Sequence, residues 1–225
     1  MTNQKKSVGR PSATKARIVA AAMQLFWEHG YERTSVADVV AAAGVRSGSL
    51  YHFFATKEDV LIAVLEAYLA GLTPMVMAPA FALAEDPLER VFAVLAGYRE
   101  RILRTEFRYR CPVGSLALEM QNESERGREL VRHNFAGWRL AIAQCVRDAA
   151  PRLRAGVDPD SLATFVLTVM EGGVMQATAE RAIERFDDSV GHLRAYFDLL
   201  KRPARAGRAA SGGSGNLVQG RAGTA

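Results

Sequence analysis

The sequence predicts an all-α chain: a small N-terminal head of three short helices, then a larger helical body. Three observations lead there. Apolar residues recur at helical spacing in every long segment. Capping residues and Gly or Pro stops divide those segments into separate helices. No stretch alternates convincingly as a strand would, and no internal repeat is apparent.

The elements follow in order. Residues 1–12 read as a flexible basic arm, with Pro11 at the approach to the first helix. TKARIVAAAMQLFWEHG, 14–30, places Ile18, Ala21, Ala22, Leu25 and Phe26 on one face, and Gly30 ends it. RTSVADVVAAAG, 33–44, is a second, shorter helix. Ser35 with Asp38 has capping-box spacing, Thr34 being the alternative cap, and Gly44 is the stop. A third helix covers 46–53. Thr56 and Asp59 cap a fourth, EDVLIAVLEAYLAGL, expected to end near 71–73 before Pro74 and Pro79. In the body, Pro87 opens 87–104 at a favourable first-turn position. A short helix at 115–124 and a long one at 125–150, despite Gly127 and Gly137, come next. Helices at 158–182, with Asp158 as cap, and 186–202 complete it. The tail, 203–225, is basic, glycine-rich and poor in large apolar groups, and reads as disordered.

Charge is uneven. The net +5 divides into +3 over residues 1–60, −3 over 61–200 and +5 over 201–225. Positive ends around an acidic middle fit an anionic partner such as nucleic acid. Two cysteines, Cys111 and Cys145, cannot make a disulfide framework and point to the cytoplasm. The N-terminus lacks an apolar signal core, and no stretch approaches the roughly 20 uninterrupted apolar residues of a membrane span. An enzyme finds little support. His29, His52, His133 and His192 are scattered, HExxH and GxSxG are absent, and GRPSATK lacks the spacing of a phosphate-cradling loop. No metal or cofactor is expected.

Three short helices followed at once by a longer one make a helix-turn-helix head. The second helix braces the third, which is then free to enter a DNA major groove. Val36, Val39 and Val40 face inward, while Val45 and Leu50 anchor the junction and the third helix. Arg46, Ser47, Ser49 and His52 are left to approach base edges, and Gly48 lets the backbone come close. Ser35, Tyr51, Lys57 and backbone groups are candidates for holding phosphates. The plainer alternative packs Tyr51 and Phe53 into a core and leaves His52 idle outside. Lys5, Lys6 and Arg10 of the arm add candidate phosphate or minor-groove contacts. Arg205 and Arg208 in the tail are less specific.

YERTSVADVVAAAGVRSGSLYHFFATKEDVL, 31–61, resembles the TetR/AcrR type of bacterial transcriptional regulator. The likeness lies in LFWEHGYERTS at 25–35, AAAGV at 41–45, GSLYHFF at 48–54 and TKEDVL at 56–61. It is close over roughly 14–65 and looser over 75–200. The resemblance implies an N-terminal three-helix helix-turn-helix head at 13–60 and a C-terminal helical ligand-binding and dimerisation domain at 61–202. It implies a homodimeric repressor that leaves double-stranded operator DNA when a small molecule binds; the alternatives are an activator with the same fold or a protein-interaction module that binds no DNA. Thr34 and Ser35 then fall at the backbone-contacting start of the second helix, and Arg46, Ser47, Ser49, Tyr51 and His52 on the recognition face. Lys57 matches a phosphate-contacting lysine. Phe53 stands where one common arrangement has histidine, and the long basic tail is not part of the pattern.

RTEFRYRCPVGSLALEM, 104–120, is the candidate input region, since Pro112 and Gly114 interrupt helical regularity beside Cys111. Arg108 and Arg110 favour a thiolate only if they converge on the sulfur; otherwise Cys111 is a quiet packed thiol. CPVGSLALE resembles a subgroup in which some relatives respond to electrophiles or oxidants and others bind organic ligands reversibly. The resemblance thus implies a small organic inducer or a reactive electrophile. Phe107, Tyr109, Cys111, Leu116, Met120, Phe135, Trp138, Phe165, Met170 and Met175 are candidate pocket residues, with Glu119, Asn134, Glu171 and Gln176 as polar anchors. Cys145, within LAIAQCV, reads as packing. For the dimer, Phe165, Val169, Gly172, Gly173 and Gln176 permit close approach, and Leu193, Tyr196, Phe197 and Leu200 give the last helix an apolar face.

Overall fold

The computed structural model describes residues 13–119 and 125–203. Several of its helices start where side chains meet the free N–H groups of a first turn. α1 (Ala13–His29) buries Ile18, Ala22 and Phe26. α2 (Val36–Ala43) opens in a full capping box: Ser35 Oγ accepts from the Asp38 N–H, and Asp38 Oδ2 accepts from the Ser35 N–H. Thr56 and Asp59 repeat the box at α4 (Lys57–Leu72). Each N-cap contributes about 1 kcal/mol. Between them lies α3 (Ser47–Phe53), a short helix anchored by Leu50, which is 0% exposed. Arg17 reaches across from α1 and donates to the carbonyls of Ala43 and Gly44, so the end of α2 is closed by a side chain.

The chain does not stop at Pro74 as the sequence suggested. It continues through a wide π turn (Thr73–Met77) into α5 (Ala78–Phe81). Within that turn Ala78 N–H donates to Thr73 O, five residues back. Proline has no N–H to offer the usual ladder, and the wider spacing absorbs the interruption.

The body comprises α6 (Pro87–Arg104), α7 (Pro112–Glu119), α8 (Glu125–Asp148), α9 (Pro159–Glu180) and α10 (Glu184–Leu200). α7 begins three residues before the sequence expectation. Pro112 suits a first turn, and Cys111 Sγ accepts the Gly114 N–H at 3.4 Å. Two hydrophobic clusters result. One joins α1–α4 through Ile18, Phe26, Val39, Leu50, Leu61 and Leu65, and takes in Leu116 and Leu130 from the body. The other fills the body around Leu95, Ile102, Trp138, Ile142, Met170 and Phe197. α4 and α8 lie side by side and serve both. Buried Asn134 ties them, its Nδ2 donating to Leu65 O and Leu130 O at 3.1 and 2.9 Å. Asp187 accepts two hydrogen bonds from Arg99, pinning α10 to α6.

Two stretches, Lys57–Phe81 and Pro159–Glu180, are long and apolar enough to cross a membrane by length and composition, although the sequence reading found none. Here each packs part of its apolar surface internally, α4 against α8 and α1, α9 against α8 and α10. Among the described residues the β structure is one isolated bridge, Leu153 to Lys201.

Candidate nucleic-acid interface and ligand pocket

The head presents a polar surface where α3 leaves the core. Arg46, Ser47, Gly48, Tyr51 and His52 are exposed, Tyr51 at 56%, and Ser49 is half-buried. Leu50 alone among residues 46–52 is buried, so its burial turns the polar neighbours outward. Phe53 is half-buried and meets the His52 ring edge-on at 4.8 Å. A Cβ at Gly48 would meet nothing within 4 Å. Val39 is buried, while Val36, Val40 and Val45 pack half-buried against the same cluster.

Three expected contact residues are already engaged. Thr34 is 2% exposed, and its hydroxyl donates to Gly30 O at 2.7 Å. That burial corrects its assignment: the Thr34 side chain is a brace for the α1–α2 turn. Ser35 is exposed, yet its hydroxyl serves the cap and donates to Asp38 Oδ2 at 2.6 Å. These hydrogen bonds hold Asp38 below the usual carboxylate pKa. Lys57 lies 4.1 Å over the Tyr31 ring, and its Nζ also donates to Glu32 O. Tyr31 in turn meets Phe26 edge-on at 5.3 Å. Lys5, Lys6, Arg10, Arg205 and Arg208 lie outside the described residues.

The body holds a cavity of about 250 Å³ between α4, α6, α8, α9 and the start of α7. Tyr68, Tyr98, Tyr109, Phe135 and Trp138 supply aromatic walls; Met23, Leu72, Met75, Val76 and Met170 supply aliphatic ones. Trp138 Nε1 donates to Tyr98 OH at 3.1 Å, and the Tyr98 and Tyr109 rings lie 6.1 Å apart. Burial pushes the Tyr68 hydroxyl up to about 12. The polar groups on the wall are Arg101, Cys111, Asn134 and Glu171. A Cβ on Gly114 would lie 2.8 Å from Glu171 Oε2, so only glycine allows this close approach.

Cys111, Phe135, Trp138 and Met170 line this cavity as the sequence suggested, with Tyr109, Asn134 and Glu171 beside them. Other candidates fall elsewhere, each for a physical reason. Phe107 adopts φ 60° in a left-handed turn after Glu106 and packs on the body core away from the cavity. Leu116 belongs to the head's cluster. Glu119 reaches the head, where its Oε2 accepts the Glu32 N–H at 3.0 Å. Phe165 and Met175 lie on the outer side of α9, 45% and 66% exposed. Met120 lies outside the described residues. Tyr68, Met75, Tyr98 and Arg101 were missed. The last two share the inward face of α6 with Leu95 and Ile102, and that shared face was the available signal.

The route to a Cys111 thiolate is not built. Arg110 turns away, Nη2 donating to Trp27 O at 2.6 Å, and Arg108 donates to Thr105 O. Burial, then the charge of Glu171 and a hydrogen bond to it, push the Cys111 thiol well above its ordinary pKa. Cys145 is buried in α8, where burial raises its thiol to about 11. Both cysteines are free thiols.

A second, shallow groove runs between α9 and α10, lined by Phe165, Thr168, Val169, Gly172, Gln176 and His192. Phe165 and Tyr196 meet edge-on at 5.8 Å, both more than 40% exposed. Leu193 and Phe197, expected on this outer face, are 2% and 1% exposed because they fill the body core. Leu200 is half-buried against that core. Exposed Leu199 and Met175 extend the apolar surface instead.

Comparison with known proteins completes the assignment. Residues 18–64 match the description of bacterial regulatory proteins of the tetR family, and residues 87–193 that of the tetracyclin repressor-like C-terminal domain. The chain is 30% identical to the transcriptional regulator AcuR of Cereibacter sphaeroides over 176 residues, covering 76% of this chain and 80% of that protein. It is 29% identical to the HTH-type transcriptional repressor ComR of Escherichia coli over 205 residues, covering 88% and 96%. The crystal structure of regulatory protein TetR from Rhodobacter sphaeroides superposes with a TM-score of 0.75 at 28% identity, covering 82% of this chain and 99% of that one. The chain therefore belongs to the tetR family of bacterial regulatory proteins, as an all-α, helix-turn-helix, DNA-binding transcription regulator.

Proposed function

We propose that the chain is a homodimeric repressor that leaves its operator when a small organic molecule fills the body cavity. Arg46, Ser47, Ser49 and His52 read base edges in the major groove, and Tyr51, Lys57 and the backbone at Gly48 hold the register. Two heads of one dimer meet half-sites about one helical turn, ~34 Å, apart. The exposed surface around Phe165, Tyr196 and Leu199 supports pairing of α9 and α10 with a second copy. Similarity to ComR, itself named a repressor, supports negative control.

One observation carries the ligand-responsive part. The segment that walls the cavity at Cys111, Pro112 and Val113 also grips the head. Trp27 Nε1 donates to Arg110 O at 3.2 Å while Arg110 donates back to Trp27 O. Seven residues after Pro112, Glu119 approaches the α1–α2 turn so closely that a Cβ on Gly30 (φ 88°) would lie 2.8 Å from its Oε1. A ligand that shifts this segment shifts α1, and with it the spacing of two heads. Reversible occupancy is the mechanism this geometry favours over modification of Cys111, because Arg108 and Arg110 are spent on backbone carbonyls and burial disfavours the thiolate. Deleting the gene and following a reporter on the neighbouring promoter tests the sign of control. Increased expression is expected; loss of expression identifies an activator built on the same head.

A further inference from the structure

We infer that the cavity selects a small organic ammonium: a compact, single-ring or branched apolar body bearing one protonated amine, with the amine held by Glu171. This rests on reading the cavity as the regulatory ligand site. Its volume, about 250 Å³, suits a compact body and lies below the range of most drug-sized pockets. Tyr68, Tyr109 and Trp138 are on its walls, and aromatic faces attract a cation as well as an apolar ring.

Glu171 decides the head group. Its Oε1 is fully buried without a hydrogen-bond partner. Leaving such an oxygen unpaired costs free energy that an incoming donor recovers. A neutral hydroxyl supplies the donor alone. An ammonium supplies the donor and the countercharge that a buried carboxylate needs. Burial raises the Glu171 pKa against the lowering effect of its Cys111 hydrogen bond, so an arriving cation also draws the carboxyl towards its ionised form. Arg101, the other charge on the wall, already has partners. Its Nη2 donates to the carbonyl of Met75, a residue 70% exposed, and its guanidinium lies 5.5 Å from the Tyr98 ring centre. Asn134 is committed to Leu65 and Leu130 through its amide nitrogen.

Calorimetric titration of the full-length chain with benzylamine, benzyl alcohol and benzoate tests the assignment. Benzylamine is expected to bind at least about tenfold more tightly than the other two. Glu171→Gln keeps the shape beside Gly114 and is expected to abolish that preference. Benzoate or benzyl alcohol binding as tightly as benzylamine overturns the inference, as does an amine preference that survives Glu171→Gln or an absence of benzylamine binding. If Glu171→Gln fails to give the native helical circular dichroism, the ranking in the unaltered chain decides alone. Operator release is read separately: an amine that binds without releasing DNA supports the ligand assignment and contradicts induction through this cavity.

Discussion

The α3 surface and the body cavity use polar groups in opposite ways. On α3 the polar groups stand in solvent, and one buried residue, Leu50, sets their direction. They need no partner for the head to fold, so their chemistry is free for a partner outside. In the cavity the polar groups are enclosed, and Glu171 keeps an oxygen unpaired inside the protein. That arrangement carries a cost in the unliganded chain, which makes the site sensitive to what enters it. The head is thus a stable scaffold with an open reading face, and the body a scaffold with an unmet demand at its centre. Arg110 and Glu119 connect the two.

The contrast can be broken most severely at Leu50. Leu50→Ala removes the anchor of α3 and is expected to cost about 2–5 kcal/mol of stability by chemical denaturation, with operator binding lost alongside. Ligand binding in the body should outlast operator binding as denaturant rises; simultaneous loss would show one cooperative unit. Next come the outward groups. Arg46→Ala and His52→Ala should each reduce operator preference by about 1–3 kcal/mol while melting behaviour stays unchanged. Lys57→Ala should weaken all duplexes alike and flatten the salt dependence by about one unit of slope. Titrations at several fixed salt concentrations separate these two patterns.

The link between the regions is expected to respond less strongly. Arg110→Ala removes its donations to the Trp27 and Glu28 carbonyls. Ligand should then shift operator affinity by less than in the parent, within the usual coupling range of about 1–3 kcal/mol. A full response in this variant would move the coupling elsewhere, with α4 the alternative because it spans both clusters.

Glu171 gives a pH signature. Burial raises its pKa above the model-compound value of 4.5, so between 4.5 and its folded value the native chain holds a proton that the unfolded chain has released. The associated stability is complete below 4.5 and is lost as pH rises through the folded pKa. Denaturation midpoints measured across this window should fall less steeply in Glu171→Gln. The smallest effect is expected at Cys111: Cys111→Ser, which keeps a hydrogen-bond donor beside Glu171, should retain ligand-driven operator release even if the ligand affinity shifts. Loss of response in that variant would restore the thiol as trigger.

How far the sequence carried the reading differs between the same two regions. The head's signals are local. Ser35 with Asp38, Thr56 with Asp59, and Gly30 lie within a few residues of the backbone they shape, and α3 hangs on one apolar residue among polar neighbours. Thr34 was misplaced because a cap and a buried brace look alike in sequence; only the fold brings Gly30 O to its hydroxyl. The cavity is non-local. Phe135, Trp138 and Met170 were recoverable because they sit on helical faces turned to the cavity, and Cys111 because Pro112 and Gly114 break the helical pattern beside it. Met75 was not, because Pro74 read as a stop and hid the π turn that carries the chain past it. Glu119 looked like a pocket anchor and proved a clamp on the head, since helical periodicity says which face is polar but not which neighbour it meets. Leu193 and Phe197 show the same limit, an apolar face being equally suited to its own core or to a partner.

The most direct measurement is a fluorescence-anisotropy titration of the protein against duplex DNA from the promoter beside its gene and against a shuffled duplex of equal composition, at one salt concentration. The account predicts tight binding to the promoter duplex, weaker binding to the shuffled one by a factor of roughly a thousand or more, and loss of most of that difference in Arg46→Ala and His52→Ala. Equal affinity of the correctly folded protein for both duplexes, or a preference untouched by those substitutions, would contradict it.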